Sequence, residues 1–125
     1  MDKKIYSIGL KFALKGIVSF FRKGRNAKIH LVAAIVVLSA GFYFDLKPEE
    51  WLWIALSIAL VFITEMINSS IEILCDLVMP EQNENAGRLK DIGAGAVLIA
   101  AIFSLVVAAI IFWPKIIQLI LEYDF

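Results

Sequence analysis

Cysteine occurs once in this chain, at Cys75, which excludes an intrachain disulfide and a cysteine-built metal cluster. Acids are nearly absent from the first 28 residues, where Asp2 stands alone against eight of the twelve Lys and Arg. The opening residues are polar and basic and lack an apolar stretch with a cleavage site, so a cleaved signal peptide is not expected. No internal repeat or low-complexity tract stands out. The most informative absence is that of charge: residues 29–44, 51–64 and 92–114 contain no Lys, Arg, Asp or Glu.

Apolar residues fill these gaps. They make up 61% of the 125 residues, and the mean hydropathy is +0.83. A soluble domain of this size could not hide so much apolar surface, so the excess must face lipid or other subunits. The expected fold is an all-α integral membrane protein of one domain, 1–125, with an N-terminal amphipathic surface helix and three transmembrane helices. The surface helix is expected over 3–23, where Lys4, Lys11, Lys15 and Arg22 form a basic face suited to anionic headgroups. Nucleic acid is not an expected partner. The spans are expected at 29–45, 51–79 and 88–114. Pro48 followed by Glu49 and Glu50 suits the first turn of the second span. The stretch Glu81 to Arg88 is expected to be a loop. Trp51, Trp53 and Trp113 lie near span ends on one side, as an aromatic belt would. Ten of the twelve Lys and Arg lie in the N-terminal segment and near Arg88 and Lys90. The positive-inside rule therefore puts the N-terminus and the 80–91 connection in the cytoplasm and the C-terminus outside.

Into the second span the sequence inserts Glu65, Asn68, Glu72 and Asp76. Steps of three, four and four place them on one helical stripe. A carboxylate in or near hydrocarbon is costly and needs a reason. Desolvation disfavours the charged form of Glu65, the deeper acid, and suits it to accept a proton from a hydroxyl. Glu72 and Asp76, nearer water, could hold a hard divalent cation, since magnesium prefers a few carboxylate oxygens plus water and substrate phosphates. Asn68 can fix an acid or a substrate oxygen. Arg88, Lys90 and Asp91 add cations that neutralise transferring phosphates, and another acid. These are the parts for phosphoryl transfer to a lipid alcohol. The same stripe admits two other uses: polar glue between helices, with the acids paired to Arg88, Lys90 or Lys28, and an ion or proton pathway, to which three spans are less suited. Gly93, Ala94, Gly95, Ala96, Ala100 and Ala101 permit close packing of the third span.

The run Glu65 through Asp76 resembles the signature of the prokaryotic integral membrane diacylglycerol kinases, which include the undecaprenol kinases. The one departure within it is Cys75 in place of the usual Val. Ala86-Gly87-Arg88-Leu89-Lys90-Asp91, Lys15-Gly16, Arg25-Asn26 and His30 match as well, and the likeness covers essentially the whole chain. The resemblance implies a multi-pass protein of the bacterial inner (cytoplasmic) membrane, a homotrimer with active sites shared between subunits. It implies ATP as phosphoryl donor, Mg2+, and a membrane lipid alcohol, diacylglycerol or undecaprenol, as acceptor. By position, Glu65 is similar to the general base and Glu72 to a metal-ligating acid, with Asp76 a further candidate. Asn68, Arg88, Lys90, Asp91 and Lys15 are similar to substrate- or nucleotide-site residues. Where the family carries a second metal-ligating Glu, this chain has Gly24. That departure admits an alternative, a weakly active or non-catalytic protein binding lipid or nucleotide.

Overall fold

The structure, a computed structural model, describes the backbone of residues 3–124 and the side chains of residues 9–124. Lys4 of the expected basic face therefore lies outside the described side chains. The chain forms four helices: α1 (Lys3–Lys23), α2 (Ala27–Tyr43), α3 (Pro48–Val78) and α4 (Glu84–Tyr123). Two of them, α3 and α4, are long and apolar enough to cross a membrane. A third span is counted only if the bent pair formed by α1 and α2 is taken as one. Over its 17 residues α2 rises about 25 Å, shorter than a hydrocarbon core of about 30 Å.

The break between α1 and α2 falls at Gly24-Arg25-Asn26, where the chain turns through 98°. The α2–α3 connection is tighter. Asp45 adopts a left-handed φ of 50°, a conformation Asp tolerates better than most side chains. Leu46 then folds back into the core. Pro48 opens α3, and the Glu50 carboxylate accepts the Lys47 backbone N–H at 2.9 Å.

Two boundaries differ from the sequence expectation. The helix α4 begins at Glu84, so Glu84 to Arg88 are helical and the loop is confined to residues 79–83. Asn83 caps the helix by accepting the Asn85 N–H at 2.8 Å, and Glu84 lies in the positive first turn. This opening turn is mostly polar, so apolar periodicity could not reveal it. At the other end α4 runs through Pro114 to Tyr123. Proline removes a single helix N–H, and Lys115 just beyond it bonds Glu50 at 3.2 Å, tying the end of α4 to the start of α3.

Contacts along α3 and α4 run in opposite directions, Glu50 to Lys115, Ser57 to Ser104 and Asp76 to Lys90, so the two helices form an antiparallel pair. Its apolar core lies at the Glu50 end, where Leu46, Ile54, Val107, Ile111 and Phe112 cluster with Phe44 and Trp51 around them. Outward-facing aliphatics such as Leu77 and Leu105 are at least 70% exposed, the surface that lipid would cover. Gly41 sits under Trp51, where an added Cβ would come within 2.6 Å of the indole. Gly41→Ala should cost about 1–3 kcal/mol, seen as a lower melting temperature in detergent. Gly95 has nothing within 4 Å of such a Cβ, and Gly95→Ala should be neutral or stabilising by up to about 1 kcal/mol. Equal effects of the two substitutions would contradict this packing.

Candidate active site

The buried positions of α3 are Ile54, Ser57, Val61, Glu65, Asn68 and Cys75. Steps of three, four and seven keep them on one face. On α4 the buried positions Ala86, Gly93, Ala100 and Val107 recur every seven residues. Small residues let two backbones approach, which is how helices associate in lipid, where apolar burial alone gives little driving force. Ser104 ties the middle of this seam: its hydroxyl donates to Ala100 O at 2.9 Å and reaches Ser57 O at 3.2 Å. The stripe seen in the sequence is thus partly sunk between helices.

Glu65 is 3% exposed, and its Oε2 is enclosed without a hydrogen-bond partner. Asn68, equally buried, donates from Nδ2 to Glu72 Oε1 at 3.2 Å, while its Oδ1 has no partner. Glu72 is exposed. Glu65 and Glu72 line a cavity of about 600 Å³ closed on its other side by Gly16, Ser19, Phe20, Lys23, Arg25 and Asn26. The cavity exists because α1 docks onto α3 through aromatic edges. Phe20 and Phe21 meet Phe62 with ring centroids 6.4 and 5.3 Å apart, one turn from Glu65. Lys23 and Arg25 bring positive charge to a cavity that holds two acids.

The other expected site residues lie elsewhere on the chain. Lys90 pairs with Asp76 at 2.7 Å on the surface, where water and salt screen the interaction. They line a separate cavity with Glu81, Glu84 and Gly87. Arg88 and Asp91 are exposed on the first turns of α4. Lys15 lines a groove on α1 with Lys11, Arg22 and Lys23, and Ser19 and Lys23 border both this groove and the Glu65 cavity. Of the residues expected at one site, Glu65 and Glu72 line one cavity, Asp76 and Lys90 a second and Lys15 the groove, while Asn68, Arg88 and Asp91 line none of them. Sequence reasoning did not place Lys23 and Arg25 beside Glu65. The aromatic pair at 20–21, which docks α1, was the available signal.

Among the described residues no three His, Cys, Asp or Glu side chains gather into a metal cage. A resident metal does not fit this chain alone. A magnesium ion arriving with phosphates does, because such ions use only one or two protein carboxylates and the exposed Glu72 carboxylate can serve as one. The enclosed Oε2 of Glu65 points to a different role. A buried polar atom without a partner is costly and calls for a hydrogen-bond donor.

Residues 11–112 match the family model for prokaryotic diacylglycerol kinase. The chain is 38% identical over 101 residues to the undecaprenol kinase of Bacillus subtilis, covering 81% of this chain and 82% of that protein. It is 29% identical over 113 residues to the diacylglycerol kinase of Synechocystis, covering 90% and 65% of the two chains. With the diacylglycerol kinase of Escherichia coli it shares 34% over 82 residues, 66% and 67% of the two chains.

If the three phenylalanines hold the cavity closed, Phe62→Ala should loosen α1 without unfolding α3. Each aromatic pair contributes about 0.5–1.5 kcal/mol, so amide exchange at residues 16–23 should accelerate severalfold while residues 54–68 stay protected. Unchanged exchange in α1 would refute the docking role.

Proposed function

The chain belongs to the prokaryotic diacylglycerol kinase family and is a lipid kinase, and on that premise we propose that it transfers the γ-phosphoryl group of ATP to the hydroxyl of a membrane lipid alcohol. The relatives' names put undecaprenol and diacylglycerol forward as acceptors. The observation that carries the proposal is Glu65, a carboxylate buried on the wall of a cavity at the α1–α3 junction with an unpartnered oxygen.

In this reading Glu65 accepts the proton of the lipid hydroxyl. The alkoxide-like oxygen attacks the γ-phosphorus, the new O–P bond forms, and the bond to the ADP oxygen breaks. The lipid alcohol would enter from the side, its hydroxyl at Glu65 and its chain against the exposed aliphatics of α3. Asn68 steadies Glu72, which would share the magnesium of the nucleotide. That ion would neutralise the phosphates. Lys23 and Arg25 are placed to meet phosphate charge from the α1 side. Lys15, Arg88, Lys90 and Asp91 serve the nucleotide. Since Lys90 and Asp76 line a cavity of their own, a neighbouring subunit of a homotrimer would bring its Lys90 and Asp91 to Glu65 and Glu72, with Asp76 at the junction.

The membrane arrangement belongs to the same reading. One domain, 1–125, sits in the bacterial inner (cytoplasmic) membrane, with α2, α3 and α4 as three spans. The 98° turn at Gly24 supports α1 lying along the interface, its basic groove of Lys11, Lys15 and Arg22 toward headgroups. The N-terminus and the 79–83 loop face the cytoplasm and the C-terminus lies outside, so the Glu65 cavity opens where ATP is found.

Glu65→Gln should lower phosphate transfer in mixed micelles by about a hundredfold to ten-thousandfold, because an amide cannot take the proton. Parent-like transfer would sink the assignment. Gly24 tests the metal arrangement. A Cβ there would meet Phe20 O at 2.5 Å and Ala27 Cβ at 3.0 Å, so the backbone must shift to admit any side chain. Gly24→Glu should lower the melting point, with a cost of about 1–3 kcal/mol, and leave the magnesium-dependent rate no higher. A large gain in rate would mean that a second carboxylate at this position is what the protein lacks.

A further inference from the structure

Asn68 lies in the α3–α4 seam with 4% of its surface exposed. Its amide is hydrogen-bonded at one end only, where Nδ2 donates to Glu72 Oε1 at 3.2 Å. A carboxylate accepts and does not donate, so the NH2 end must face Glu72 and the oxygen is turned toward α4. There Oδ1 has no hydrogen-bond partner. It meets the backbone of Gly93 instead, so closely that a Cβ on residue 93 would overlap it. Ile71 Cδ1, 3.6 Å from the same point, bounds the gap on the α3 side. The other two glycines of α4, Gly87 and Gly95, have nothing within 4 Å of an added Cβ. Only at Gly93 does α4 require the absence of a side chain.

The consequence reaches Glu72. This acid is exposed and would otherwise turn freely in water. Among the described side chains Asn68 is its one hydrogen-bond donor. Where Asn68 rests is set by the space at Gly93. We infer that Gly93 is a positioning residue for lipid phosphorylation, acting through Asn68 to fix the carboxylate of Glu72 at the cavity it shares with Glu65. The inference rests on the kinase reading above and adds to it a residue that touches neither substrate nor metal. Plain helix packing is the competing role, since a small residue in a membrane seam needs no further reason.

A cycle of Gly93→Ala, Asn68→Ala and the double variant separates the two. Each single change should lower turnover and raise the Mg2+ concentration for half-maximal rate, by about tenfold to a hundredfold, with KM for the lipid little changed. In the double variant the added methyl has no amide to displace, so it should be no worse than Asn68→Ala alone. Mn2+ binding in the presence of ATP, followed by electron paramagnetic resonance, and the melting temperature should show the same pattern. Losses that multiply in the double variant, or a Gly93→Ala protein with parental turnover and metal dependence, would overturn the inference. If Gly93→Ala fails to fold, the comparison of the double variant with Asn68→Ala still decides, since simple overpacking would damage both backgrounds alike. A parent without turnover on any lipid alcohol would instead defeat the kinase reading, and the Mn2+ cycle would still report whether Gly93 acts on Glu72.

Discussion

The close antiparallel seam between α3 and α4 is the constraint on which the rest depends. In a membrane, side chains gain little by leaving lipid for one another, so two helices stay together by backbone approach and polar contacts. Here the approach is supplied by Ala86, Gly93 and Ala100, and the polar contacts by Ser104 on Ser57 O and Lys115 on Glu50. The pair is pinned at the Glu50 end by an aromatic and aliphatic cluster. Farther along, past the middle of α3, the same geometry sinks Glu65 and Asn68 between helices, where an ionisable group demands a functional explanation. One set of contacts thus builds the scaffold and creates the unusual environment of the acid.

Much of this was legible in the sequence. The uncharged runs locate the hydrophobic parts of α2, α3 and α4, and the three-and-four spacing of Glu65, Asn68, Glu72 and Asp76 aligns them on one face. The surface-helix segment 3–23 coincides with α1. What failed had physical causes. The start of α4 at Glu84 is set by a cap and a dipole, with no apolar period to announce it. The uncharged run stops at Pro114, yet one missing N–H does not end a helix anchored by Lys115. Spacing along one helix also says nothing of what lies across from it. Hence the pairing of Asp76 with Lys90, the place of Lys23 and Arg25 beside Glu65, and the fit of Asn68 against Gly93 are set by contacts between helices and not by spacing within one.

Gly24 illustrates how a departure from a family pattern changes meaning in three dimensions. From the sequence it is a missing carboxylate. In the fold it occupies the sharp turn between α1 and α2, where the Phe20 carbonyl leaves no room for a Cβ. The turn brings Lys23 and Arg25 to the acids of α3 and lets Phe20 reach Phe62. The glycine supports the cavity geometrically, and the charged groups at its wall are Glu65, Glu72, Lys23 and Arg25.

In the homotrimer proposed above, the Glu65 cavity is completed by Lys90 of a neighbouring subunit. Co-assembling Glu65→Gln chains with Lys90→Met chains, each expected to be strongly impaired alone, tests this directly by phosphate transfer to lipid. Mixed assemblies contain some sites with an intact Glu65 from one chain and an intact Lys90 from another, so transfer should reappear well above that of either variant. Mixed assemblies as inactive as their components would contradict a shared site.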